Sequence, residues 1–137
     1  MPLIITLSQA IQGKTDAQNT LAIHYVTGTG LPKDELIAYM WFAIAASQGH
    51  SGAMENLPNV PGDTSSDACK LVQSAVAGDF EAQSQLSYKL KMGDGVPKED
   101  EASVYWLGHA ARGGHPWAQT TLANVIADGG ADPNLAN

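Results

Sequence analysis

The chain repeats itself 65 residues apart without a gap, and no other feature constrains its fold as strongly. Ala17, Gln18, Leu21, Gly28, Gly30, Pro32, Lys33, Trp41, Ala45, Ala46 and Gly49 recur as Ala82, Gln83, Leu86, Gly93, Gly95, Pro97, Lys98, Trp106, Ala110, Ala111 and Gly114. The register extends upstream to Ala10/Ala75 and Gly13/Gly78, and downstream to His50/His115, Ala53/Ala118 and Leu57/Leu122. A match of that length marks a tandem array, whose units cannot bury an apolar face alone and must stack on their neighbours.

Within the first unit, Ala17, Leu21, Ala22 and Tyr25 fall on one face of a helix, with Asp16 placed to cap it. Gly28 and Gly30 supply a turn, and Pro32 stops the helix from running on. Asp34 is expected to cap a second helix whose buried stripe is Ile37, Ala38, Trp41, Phe42 and Ala45, ending at Gly49. The third unit repeats this with Leu86 and Leu90, the turn Gly93, Gly95 and Pro97, and a helix from Glu99 to Arg112 that carries Trp106, Leu107, Ala110 and Ala111 inward. Between them Ala53 stands 36 residues after Ala17 but only 29 before Ala82, and Pro58 and Pro61 break the first helix early. Leu3, Leu7, Ala10 and Ile11 precede Gly13 as a lone second helix, while Pro116 opens a last helix with Ala118, Leu122, Ala123 and Ile126 inward. The expected organisation is a single domain over 1–137. It comprises an N-terminal helix (1–13), repeat 1 (16–49), a shortened repeat 2 (52–78), repeat 3 (81–114), a capping helix (116–128) and a tail (129–137).

The combination Ala17, Leu21, Ala22, Tyr25, Gly28, Gly30, Leu31, Asp34, Ala38, Trp41, Ala45, Ala46, Gly49 closely resembles the Sel-one-like repeat family, relatives of tetratricopeptide repeats. The third unit is similar through Ala82, Leu86, Gly93, Gly95, Val96, Trp106, Ala110, Ala111 and Gly114, departing at Leu90, Glu99 and Ser103. The middle unit keeps only Ala53, Leu57, Ala75 and Gly78. The resemblance implies an all-α fold, a short right-handed α–α superhelix (a tetratricopeptide-like solenoid) of helical hairpins with a shortened middle repeat. It further implies a non-enzymatic adaptor that binds a partner protein or peptide. In such solenoids first helices line the concave face, which selects Asp16, Asn19 and Ile23, then Glu55, then Glu81, Ser84 and Tyr88, and finally Trp117, Thr120 and Asn124. Tyr88 and Trp117 are the expected aromatic anchors; alternatively Tyr88 replaces the tyrosine missing at Leu90, and Trp117 packs under the tail. The informative surface positions are those where the copies differ: Asn19 against Ser84, Ile23 against Tyr88, His24 against Lys89.

Composition narrows the partner. Net charge is −7 and the seven Lys and Arg form no run, so neither a nucleic-acid footprint nor an acidic-membrane patch is expected, while a basic or polar protein partner is permitted. No apolar window has membrane-spanning length, and the N-terminus lacks the basic start and cleavage site of a signal peptide. A cytoplasmic monomer is therefore the expectation, or a periplasmic or secreted one if a leader has been removed. The lone Cys69 makes no internal disulfide and is expected at a helix interface. His50 and His115 occupy equivalent positions and read as structural or exposed; His24 reads as surface, and His109 has no helical partner histidine. Gly93-Asp94-Gly95 belongs to the repeat turn rather than to a phosphate loop, and Lys98-Glu99-Asp100-Glu101 reads as a solvated helix start. No catalytic residue, metal site or cofactor is expected. Two other readings remain: a small acidic inhibitor or immunity protein occupying a partner enzyme's basic cleft, and a cell-wall-ligand-binding or hydrolytic enzyme.

Overall fold

The computed structural model describes residues 2–127, and among these all regular structure is helical. Four helices form a leading half: α1 (Leu3–Ile11), α2 (Thr15–Thr27), α3 (Glu35–Ser47) and α4 (Ser51–Asn56). Four more form a trailing half: α5 (Asp67–Val76), α6 (Phe80–Met92), α7 (Asp100–Arg112) and α8 (Pro116–Ala127). Helices α6 and α7 begin and end 65 residues after α2 and α3, so the sequence repeat is a structural repeat. Helix α4 is six residues long and passes into a single 3-10 turn at Leu57–Asn59, where Pro58 lacks the N–H that a continuing helix needs. The tail expected over 129–137 lies outside the described residues.

The shared residues explain the shared geometry. Gly28 and Gly93 end α2 and α6 in the left-handed conformation, at φ 74° and 71°. A Cβ there would meet Lys33 Cβ or Lys98 Cβ at 3.3 Å, so both conformation and close approach require glycine. Asp34 caps α3 as expected, its Oδ1 accepting from Ile37 N–H at 2.9 Å. Gln18 and Gln83, buried in α2 and α6, each donate Nε2 to a carbonyl eight residues back, Ala10 O and Ala75 O, both at 3.0 Å. Gln119 does the same to Ala111 O at 3.1 Å. Each glutamine thus supplies a second donor to a last-turn carbonyl of the preceding helix, one that already accepts the backbone N–H of Gly13, Gly78 or Gly114.

Asp16 does not cap α2. The helix begins two residues earlier than an Asp16 cap would give, at Thr15 after Lys14, which places Asp16 inside the first turn with its carboxylate facing outward to His50. The inward stripe of α8 also differs from the expected one. Ala118 is buried and Leu122 and Val125 are partly so, whereas Ala123 and Ile126 are exposed, because α8 packs chiefly on α7 and only one of its sides is covered.

The halves meet through α3 and α7. Trp41 sets its ring edge-on to Tyr105 with centroids 5.2 Å apart, while Trp106 Nε1–H points at Met40 Sδ from 3.2 Å. Adding 65 to 40 and 41 gives 105 and 106, so these two contacts are one contact made twice in opposite senses. Helix α1 likewise packs on α7 as α5 packs on α3. Reciprocity of this kind is what an approximate two-fold relation produces, as in an isologous dimer interface. It buries α3 nearly all round, adding Met40, Ala43 and Ile44 to the expected stripe. One continuous core therefore runs from α1 to α7, with a small satellite where α7 meets α8.

Glu99 joins the seam instead of lying in solvent. Its Oε2 accepts from Tyr25 O–H at 3.0 Å across the halves, and Asp34, its counterpart in the leading half, is close enough to repel it. Burial, together with the charges of Glu101, Asp34 and Asp100, holds its carboxyl above the usual range despite the Tyr25 bond; burial also raises the Tyr25 hydroxyl. The folded chain therefore holds this proton more tightly than the unfolded one. Stability tied to Glu99 is fully present below the ordinary glutamate pKa and is lost as pH rises through the raised value. Glu99→Gln, which can still accept from Tyr25, is expected to raise the urea midpoint at neutral pH. Below about pH 4 it should leave the midpoint unchanged.

Candidate functional site

The selected surface residues divide between the halves, and only the trailing set converges. On the leading half Asp16 Oδ1 meets His50 Nε2 at 2.7 Å, and Asn19 Oδ1 accepts from Asn56 Nδ2 at 3.2 Å. His50 Nδ1 in turn accepts from Ala53 N–H at 3.0 Å, so the ring caps α4 and, in its neutral form, carries its proton on Nε2. These groups lock α2 to α4. Ile23 and Glu55 are exposed, and among the described residues only their backbone carbonyls are engaged outside the helical ladder, by Thr27 Oγ1–H at 2.8 Å and by Asn59 Nδ2–H at 3.0 Å.

On the trailing half Glu81, Ser84, Tyr88 and Trp117 line one open hollow of about 410 Å³ between α6 and α8. Ser84 forms floor rather than rim, being only 5% exposed. Tyr88 and Trp117 stand 50% and 40% exposed, with rings edge-to-face and centroids 6.3 Å apart. Neither disappears into the core, so Tyr88 does not take over the packing role of the tyrosine missing at Leu90. That position is itself buried by leucine. Thr120 and Asn124 lie exposed along α8 beyond the hollow. His115 bonds Glu81 Oε2 at 2.6 Å through Nε2 and faces Ala118 N–H with Nδ1 at 3.5 Å, repeating the His50 arrangement. The same pairing holds the Glu81 carboxyl below the usual range, helped by Gln85, whose Nε2 donates to Glu81 Oε1 at 3.2 Å.

Lys89, singled out above as differing from His24, also lines the hollow; Gln85, Asp94 and His115 complete it and were not selected from the sequence. Lys89 pairs with Asp94 at 3.6 Å across the glycine turn. The spacing that could have found His115 is the one it shares with His50: each lies 34 residues after its carboxylate partner. The hollow thus combines an aromatic pair, a carboxylate held by a histidine, and a lysine, a mixture suited to gripping a peptide.

The remaining reactive groups are otherwise engaged. Cys69 is buried in α5, and burial pushes its thiol up, away from nucleophilic character. His24 Nδ1 lies 2.8 Å from Thr29 O in the glycine turn, and His109 stacks on Tyr105 at 4.4 Å, where burial lowers its pKa. Among the described residues no group of three His, Cys, Asp or Glu converges as a metal site, and no helix is long and apolar enough to cross a membrane.

Paired antiparallel helices stacked in register define a helical-repeat protein of the tetratricopeptide-like solenoid class. Residues 15–50 and 80–115, together just over half of the chain, match the Sel1 repeat, and the chain belongs to that family. Sel1 repeats generally mediate protein–protein interaction. The chain is also 25% identical over 142 residues to an exopolysaccharide production negative regulator of Rhizobium leguminosarum bv. viciae. That match takes in 88% of this chain but only 53% of the relative, so the chain spans about half of that protein's length.

Proposed function

We propose that the chain is a non-enzymatic interaction module that binds a partner protein or peptide through the trailing-half groove between α6 and α8. The exposed Tyr88–Trp117 pair over the 410 Å³ hollow carries this reading. Paired aromatics bring large contact area at little entropic cost, and binding hot spots are rich in them. The single units match a family whose members mediate protein interaction, and the negative regulator among its relatives fits a role exercised by binding. Replacing Tyr88 and Trp117 together by Ala should weaken a partner captured from the native host by about 30-fold or more, the loss typical of a hot spot. Unchanged affinity in a folded double variant would remove the groove from consideration.

A second reading, a small acidic inhibitor of a basic enzyme, draws on the net charge of −7. The same titration separates the two. Affinity that collapses between low and physiological salt points to the inhibitor, and affinity indifferent to salt points to a general adaptor.

A further inference from the structure

Behind the aromatic pair lies a second hollow, smaller and far more apolar, between α6, α7 and α8. It measures about 140 Å³ and is lined by Met92, Val104, Leu107, Trp117 and Val125 among others, with Lys91 the one charged residue touching it among the described residues. The internal repeat shows which residues set it apart from the leading half. The floor positions Val104 and Leu107 correspond to Tyr39 and Phe42 in the leading half, and the rim positions Tyr88 and Trp117 correspond to Ile23 and Gly52. The trailing half therefore has the smaller floor and the taller walls at the same register. In the leading half Phe42 is 2% exposed, so that half keeps a phenyl ring of its own buried at this register.

We propose that this hollow is a socket for one aromatic side chain, a phenylalanine, presented by the partner peptide that lies in the groove. The inference rests on the groove reading and adds to it the identity of the anchoring residue. Size suits a ring, since an enclosed apolar cavity of about 150 Å³ accepts benzene. Polarity decides against a charged guest. Among the described residues no carboxylate lines the socket, and Ser87 and Ser103 at its back are already paired, each hydroxyl donating to the other residue's carbonyl at 2.8 Å. Leu107→Phe restores from inside the ring that the leading half carries in Phe42, and Val104→Tyr restores the counterpart of Tyr39.

N-acetyl-phenylalaninamide is the probe, titrated into the whole chain while methyl NMR signals are followed. Saturable shifts are expected at Val104, Leu107 and Val125, with the leading-half methyls of Val26 and Val60 still. N-acetyl-leucinamide should bind several-fold more weakly and N-acetyl-alaninamide should not saturate. Leu107→Phe, and independently Val104→Tyr, should weaken the phenylalanine probe at least tenfold with no loss of thermal midpoint. Equal or tighter binding of the leucine probe, or undiminished binding by whichever filled variant folds, overturns the proposal. Shifts at these methyls on concentrating the protein alone would assign the socket to another copy of this chain and overturn it too. If Tyr88→Ala/Trp117→Ala abolishes partner binding while Leu107→Phe leaves it intact, the groove stands and the socket fails. If neither variant affects the partner, the groove reading itself fails.

Discussion

Trp41→Ala and Trp106→Ala should each lower the free energy of unfolding by about 3–5 kcal/mol, and together by less than the sum of the two. Both indoles are almost fully buried, at 1% and 2% exposure, and each truncation leaves a cavity in the part of the core where relaxation is least available. Domains of this size are stable by only about 5–15 kcal/mol, so either change is a large fraction of the whole. The shortfall from additivity follows from the seam. Trp41 packs on Tyr105 and Trp106 on Met40, so removing one indole loosens the α3–α7 contact that the other also needs. Residues coupled in this way show interaction energies of about 0.5–3 kcal/mol. Urea unfolding of the four species of the cycle, at unchanged m-value, measures the term directly. Strict additivity would mean that each tryptophan packs within its own hairpin and that the cross-half contacts carry no energy.

How far the sequence reached is best judged at particular positions. The helical hairpins, the glycine turns, the Asp34 cap and the two buried tryptophans were legible because each is set by residues within a few positions of one another and is printed twice. Asp16 misled because an acid beside the first apolar residue suits either the cap or the first turn, and only the position of His50, a helix away, decides between them. Glu99 misled for a similar reason: a run of charges reads as solvated until Tyr25, 74 residues earlier, is found to donate to it. Met40 and Ile44 sit off the stripe that a single hairpin buries, and nothing local says that α7 will cover that side of α3. Gln18 and Gln83 were visible as repeated letters but had no role until the last turns of the preceding helices were placed beside them. Of the candidate site, Glu81, Tyr88 and Trp117 converge on one hollow, while Asp16 and Asn19 belong to the scaffold that braces α4. The exchange of Tyr39 and Phe42 for Val104 and Leu107 lies in the same repeat register but was not legible as a feature, because only the placement of α8 turns those positions into the floor of a hollow.

Cutting the chain between Ser66 and Asp67 should leave two fragments, 1–66 and 67–137, neither of which unfolds cooperatively alone, although the cut severs only the connection into α5. An open array of repeats behaves otherwise: its stability is a sum over neighbours, and a shortened array keeps much of its structure. Here α3 and α7 each present a second apolar side to the other half. Fragment 1–66 would expose Met40 and Trp41, and the α3 surface on which α5 packs. Each large side chain returned to water forfeits about 1.5–3 kcal/mol, and a fragment of some 60 residues already buries a smaller share of its surface than the whole chain does. A few such losses equal the stability of an ordinary domain. Tyr25 would also lose Glu99, leaving a half-buried hydroxyl to find water instead. Circular dichroism of each fragment in urea should give a shallow, sloping curve, and mixing the two in equal amounts should restore a sigmoidal transition with the midpoint depending on concentration. A sigmoidal transition from fragment 1–66 by itself would instead assign its stability to α1–α4 alone and reduce the reciprocal seam to a surface contact.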